Sequence, residues 1–108
     1  MNPHLKYKST QTLAWTHIDM LLLIYDQTVT TLNDGTRLLE DDRAAELPPV
    51  TLKAMRALLM IAEGLRLEEG ELPVQVMRLV VYALDQIRTP SAKAWRSAAD
   101  VIGKIREG

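Results

Sequence analysis

Residues 17–39 read HIDMLLLIYDQTVTTLNDGTRLL, and this stretch decides the fold. Its apolar side chains recur at the i, i+3 and i+4 spacing of one helix face, namely Ile18, Leu21, Leu22, Tyr25, Val29, Leu32 and Leu39. This spacing predicts a long amphipathic helix from His17 to about Leu39. Thr16 precedes it in the N-cap position, where a side-chain oxygen accepts a hydrogen bond from a free backbone N–H.

Three later stretches repeat the helical spacing. A second helix is predicted to begin near Thr51, after Pro48-Pro49, because prolines lack the N–H that a helix interior needs. A third is predicted from Pro73 to the break at Thr89-Pro90, and a fourth after the capping residue Ser91. Their apolar stripes are Leu52, Met55, Leu58, Leu59, Ala62 and Leu65; Val74, Met77, Val80, Val81, Leu84 and Ile87; and Trp95, Ala98, Ala99, Ile102 and Ile105.

The segment before the first helix has a different character. Residues 1–15 show no clear period and contain Pro3 and several hydroxyl residues, so we interpret them as an extended N-terminal arm. The remaining residues, 16–108, are enough for a single domain. Four amphipathic helices with short connections pack most simply as an all-α antiparallel four-helix bundle. A five-helix bundle is the other arrangement that the sequence leaves open.

Composition excludes several functional classes. The net charge of −1 argues against a general nucleic-acid binder, which needs a basic excess to neutralise phosphates. The chain has no cysteine, so disulfides and thiolate metal sites are absent, as is common in the reducing cytosol. The longest apolar run, Met20 to Tyr25, is far shorter than the roughly 20 residues that span a bilayer. We therefore expect a cytoplasmic protein without membrane insertion.

The residues that usually carry chemistry are sparse. The two histidines, His4 and His17, lack the convergent ligands that a zinc site needs. The five glycines are scattered and form no phosphate-binding loop. The carboxylate pairs Asp41-Asp42 and Glu68-Glu69 lie in polar connections, where they are solvated. We expect no catalytic residues, no metal and no cofactor.

The most informative feature is an excess of apolar residues beyond one stripe per helix. These extra residues are Met20, Leu23 and Ile24 on the first helix, Met60 and Ile61 on the second, and Val76 and Leu79 on the third. Three explanations remain open. The first helix is central and covered on all sides, or the arm with Leu5 and Tyr7 folds over the excess. Alternatively, the excess forms a groove for a partner helix.

Short motifs along the whole chain add a family resemblance. They are Asn2-Pro3-His4-Leu5-Lys6-Tyr7, Met20-Leu21-Leu22-Leu23-Ile24-Tyr25-Asp26, Leu52-Lys53-Ala54, Gly70-Glu71-Leu72 followed by Leu79-Val80-Val81-Tyr82, and Ile105-Arg106-Glu107. In this order and spacing the chain resembles the FliS-type flagellar export chaperones, as a divergent member. Gln27 stands where a glycine usually follows the Tyr-Asp pair.

The resemblance implies a function. Such a chaperone binds the C-terminal segment of flagellin in the cytoplasm, prevents premature polymerisation and delivers it to the flagellar type III export apparatus, whose components are further partners. Tyr7 and Tyr25 match its signature positions. Together with the apolar excess, the candidate partner-binding residues are Leu5, Tyr7, Met20, Leu23, Ile24, Tyr25, Met60, Ile61, Val76 and Leu79. We expect a monomer or a weak homodimer. The alternative is a helical adaptor or assembly protein, as a homodimer or with an unrelated protein partner.

Overall fold

The computed structural model describes the backbone of residues 3–107 and the side chains of residues 19–107. Within these residues the chain forms four α-helices and no strand, which confirms the all-α prediction. The helices are α1 (Pro3–Glu40), α2 (Leu47–Glu63), α3 (Glu71–Gln86) and α4 (Ala92–Glu107), and short 3-10 turns at Ala44–Glu46 and Leu67–Glu69 lie in the first two connections.

The N-terminus differs from expectation. We interpreted residues 1–15 as an extended arm, but α1 begins at Pro3 and continues without a break to Glu40. Proline suits the first turn of a helix, because the N–H that it lacks would have no intrahelical acceptor there. Thr16, the predicted N-cap, is therefore an internal residue of α1. The side chains of Leu5 and Tyr7 lie outside the described residues.

The start of α2 also differs. We expected Pro48-Pro49 to end the preceding connection and the helix to begin near Thr51. Instead α2 begins at Leu47 and holds both prolines in its first turn, where their missing N–H groups cost nothing. Leu47 is thereby brought into the core.

The helix α1 ends in a tight hydrogen-bonded turn. The N–H of Arg43 donates to the carbonyl oxygen of Leu38 at 2.8 Å, and the N–H of Asp42 donates to that of Leu39 at 3.4 Å. This pattern is a Schellman motif, which requires a left-handed residue. Asp42 takes that position with a φ of 57°. The turn reverses the chain toward α2.

Cross-helix contacts show that neighbouring helices run antiparallel. Arg106, near the end of α4, pairs with Asp26 of α1 at 3.0 Å, and Arg96, near the start of α4, pairs with Glu40 at the end of α1. The hydroxyls of Tyr82 on α3 and Ser97 on α4 lie 2.6 Å apart. The four helices pack in the cyclic order α1, α2, α3, α4, and α2 packs least closely on α3. This is the predicted antiparallel four-helix bundle.

The core is built around Trp95, which is fully buried. Its ring lies directly against the backbone of Gly35, so that any Cβ at position 35 would overlap it. The absence of a side chain there lets α1 and α4 approach closely. Among the described residues, the indole N–H of Trp95 is the one buried side-chain polar group that has no hydrogen-bond partner.

The buried face of α1 is partly polar. Thr28, Thr31 and Thr36 are buried, and each hydroxyl donates to the carbonyl oxygen four residues earlier, over 2.7 to 2.9 Å. These bonds satisfy the hydroxyls within the helix, so that their burial carries little penalty.

The predicted stripes are partly right. On α4, Trp95, Ala98, Ala99 and Ile102 are buried as expected. On α1 and α2, five residues that were predicted to lie on the buried stripe are exposed, namely Leu21, Leu22, Leu52, Met55 and Leu59. On α2 the core contains Leu58, as predicted, together with Ala54 and Ile61, which the predicted stripe did not include. The buried face of α2 is therefore rotated relative to expectation, toward the side that carries Ala54.

Candidate functional site

A cleft lies between α1 and the end of α2, which we name the end cleft. It has a volume of about 170 Å³ and is lined by Leu21, Ile24, Tyr25, Met60, Ile61, Gly64 and Leu65. The helix α2 stops at Glu63, and Gly64 then donates its N–H to the carbonyl oxygens of Met60 and Ile61. Because Gly64 carries no side chain, the cleft remains open at this end.

An apolar band on α1 borders the end cleft. Met20, Leu21, Leu22 and Leu23 are all exposed, with Met20 at 55% and Leu23 at 53%. Successive helical residues are about 100° apart, so four in a row place an apolar side chain on every side of the helix. A helix that is apolar on all sides is normally buried. The band is therefore apolar surface whose exposure to water is unfavourable and which another protein could bury.

The structure places half of the ten predicted binding residues at or beside the end cleft. Met20, Leu23, Ile24, Tyr25 and Met60 all lie at the end cleft or on its bordering band. The other five candidates are the buried Ile61, the α3 residues Val76 and Leu79, and Leu5 and Tyr7, whose side chains lie outside the described residues. The sequence did not show that the extra apolar residues of α1 and α2 lie side by side, and the structure does.

Ile61 requires a correction. It is only 6% exposed and belongs to the core, so it forms the floor of the end cleft and is not part of its exposed surface. On α3, Val76 packs against the core and Leu79 is exposed, and neither lines the end cleft. Leu5 and Tyr7 fall outside the described side chains, so their role stays a prediction.

The electrostatics of the end cleft are simple. Among its lining residues only Tyr25 titrates, and burial raises the pKa of its phenol above the ordinary value of 10.0. The neutral phenol therefore persists at physiological pH. Next to it in sequence, Asp26 is held by Arg106 at 3.0 Å. The cleft thus offers a neutral apolar surface with one hydroxyl, which suits a protein side chain better than a charged ligand.

A second apolar surface was not predicted. It is a groove between α2 and α3, which we name the α2–α3 groove. It encloses about 370 Å³ and is lined by Thr51, Met55, Leu59, Val81, Leu84, Asp85, Ile87 and Arg88. It exists because α2 packs least closely on α3. The sequence placed Met55, Leu59 and Val81 in the core, since they share the helical spacing of the true core residues.

The described residues give no sign of a metal site or a membrane span. No group of three or more His, Cys, Asp or Glu among residues 19–107 could hold a metal ion. No helix in the described part of the chain is long and apolar enough to cross a bilayer.

Comparison with known proteins gives no match to any family model, any curated protein or any solved structure.

Proposed function

We propose that this protein is a cytoplasmic chaperone of the FliS type, which binds the C-terminal segment of flagellin and delivers it to the flagellar type III export apparatus. The observation that carries the proposal is the end cleft with its exposed apolar band. This surface is formed by two helices and includes Tyr25 of the Tyr25-Asp26 signature on which the resemblance depends. The absence of catalytic groups from its lining favours binding over chemistry.

The surface suits an amphipathic helix as its client. Residues of α1 and α2 form the two walls, and a client helix would place its i, i+3 and i+4 side chains between them. Each half-exposed leucine or methionine that becomes covered contributes on the order of 1 kcal/mol. Part of this gain is offset by the ordering of a previously disordered segment, which keeps the complex releasable for export.

The test is calorimetric titration of the chain with a peptide from the C-terminal region of a flagellin of the same organism. We expect sub-micromolar binding with a large negative heat capacity change, because apolar surface is buried as the peptide folds. No heat at high micromolar concentrations would overturn the flagellin proposal and would favour the helical adaptor with another partner.

A matched pair of variants locates the site. Met60 and Leu52 both lie on α2 and are 52% and 49% exposed; Met60 lines the end cleft, whereas Leu52 lines a separate hollow beside Pro48 and Pro90. Met60→Glu should weaken peptide binding at least tenfold, whereas Leu52→Glu should leave it within about twofold. Equal effects of the two changes would contradict the placement of the client in the end cleft. Ile61→Glu is unsuitable for this purpose, because a charge at a core position would unfold the bundle.

A further inference from the structure

The α2–α3 groove leaves apolar side chains of two helices without cover. Leu52, Met55 and Leu59 of α2 are exposed, and so is Val81 of α3, at 55%. A neighbouring apolar hollow of about 480 Å³, which includes Pro48 and Leu52, continues the same face toward the start of α2. The end cleft lies on the other side of α2, since it is walled by α1. The uncovered face therefore needs an occupant of its own.

The charges on this face repeat with a helical period. Val74, Arg78, Val81, Asp85 and Arg88 follow one another at alternating spacings of four and three residues, which places them on one stripe of α3. Arg78, Val81 and Asp85 are all exposed. Arg78 and Asp85 are seven residues apart, about 10.5 Å along the helix, and Val81 lies almost midway between them.

This arrangement is complementary to itself. We propose that the occupant of the α2–α3 face is a second copy of this chain, packed with its α3 antiparallel to the first about a two-fold axis between Val81 and Tyr82. Under that symmetry Arg78 of each copy faces Asp85 of the other, and two identical ion pairs form. A parallel arrangement would bring like charges together and is disfavoured.

Local contacts leave these groups available. The carboxylate of Asp85 lies 3.8 Å from the guanidinium of Arg88, and both side chains are at least 70% exposed. An exposed ion pair of this kind contributes little stability, so Asp85 can leave Arg88 for Arg78 of a second copy at small cost. Tyr82 is turned toward α4 by the contact of its hydroxyl with that of Ser97. Val81 is therefore the foremost apolar residue of α3, and the exposed leucines and methionine of α2 lie beside it.

The test is sedimentation velocity of the whole chain without any client, over a concentration series to high micromolar. We expect a dimer. Arg78→Glu and Asp85→Arg should each raise the dimer dissociation constant about tenfold or more, since each places like charges across the axis. The double variant, Arg78→Glu with Asp85→Arg, should restore the dimer. Lys93→Glu, an equal change of charge on an exposed residue of α4, should have no effect.

Cross-linking tests the position of the axis. The chain has no cysteine, so a single Val81→Cys variant should form a disulfide only between two copies, and Lys93→Cys should form none under the same mild oxidation. A wild-type chain that stays monomeric at every concentration would overturn the proposal. Failure of the double variant to restore the dimer would do the same. The inference does not depend on the proposed function, because no client is present and the end cleft is untouched.

Discussion

At the scale of single residues, the contact between Gly35 and Trp95 sets the distance between two helices. Gly35→Ala would place a methyl group inside the space of the Trp95 ring, which is itself fully buried and cannot move aside. We expect a net loss of about 1–3 kcal/mol in the free energy of unfolding, measured by urea denaturation.

Gly103 provides the matched control for that change. It lies inside α4, and a Cβ added there would meet no atom within 4 Å. Gly103→Ala should be neutral or stabilising by up to about 1 kcal/mol, since alanine is the better helix former. If both alanine variants had the same stability, the steric role of Gly35 would be wrong.

The phenol of Tyr25 gives the bundle a dependence on alkaline pH. Burial raises its pKa above 10.0, so the unfolded chain loses this proton at a lower pH than the folded chain. The unfolded state then binds fewer protons, and the free energy of unfolding falls as pH rises above about 10. Tyr25→Phe should show a smaller fall than the wild type between about pH 9 and pH 11, measured by urea denaturation. Equal falls in the two proteins would contradict this assignment.

At the scale of the helix, periodicity predicted the number and order of the elements but not every boundary. The stripe of α4 is one-sided and Ser91 caps it, with its Oγ accepting the N–H of Ala94 at 3.4 Å, so both start and face were predictable. Pro3 was assigned to an extended arm and Pro48-Pro49 to a connection, but all three lie in the first turn of a helix. Proline is excluded from a helix interior but is compatible both with a connection and with the first turn of a helix. The proline alone therefore does not show whether a helix begins before it or after it.

The buried face of α2 was harder to predict for a related reason. Its apolar residues cover more than half of its circumference, so two overlapping stripes have the same helical spacing. The buried stripe is the one that contains Ala54, whose small side chain allows the α2 backbone to lie close to the core. A partner groove was one of the three explanations that the sequence left open for the apolar excess, and Ile24, Met60 and Ile61 of that excess line the end cleft. The α2–α3 groove was not, because its residues had been assigned to the core.

The unequal packing of the helices should appear in their dynamics. The helix α1 packs against both α2 and α4, whereas α3 packs mainly against α4 and only lightly against α2. In the monomer, at concentrations below the dimer dissociation constant, we expect the amides of α3 to exchange with deuterium sooner than those of residues 28–36 in α1, measured by native-state hydrogen exchange. Equal protection of the two segments in the monomer would contradict the light packing of α3 on α2.

At the scale of the whole molecule, α1 determines the shape. It has 38 residues, about 57 Å at 1.5 Å per residue, and the longest dimension of the molecule is 58 Å. The radius of gyration is 16.8 Å, whereas a compact chain of this length has one of about 13 Å. The remaining three helices have 16 or 17 residues each, so α1 is more than twice as long as its neighbours.

Because α1 is so much longer than the other helices, we expect that its first residues can be removed with little loss of stability while client binding is weakened. On α1 the first residue that packs against the described core is Ile24. A chain that begins at Ile18 should therefore unfold with a free energy within about 1 kcal/mol of the full chain in urea. If Leu5 and Tyr7 contact the client as predicted, the same deletion should raise the dissociation constant of the flagellin peptide measured by calorimetry. A large loss of stability would show that residues 1–17 belong to the bundle.

The close approach of Gly35 and Trp95 also has an evolutionary consequence. Each of the two residues occupies the space that the other leaves, so neither position is free to vary alone. A larger residue at position 35 could be inherited only together with a smaller one at position 95, and a chain that lost the tryptophan first would carry a void until position 35 gained a side chain. Across the lineage of this protein, the two positions should therefore change as a pair, although they are 60 residues apart in the sequence.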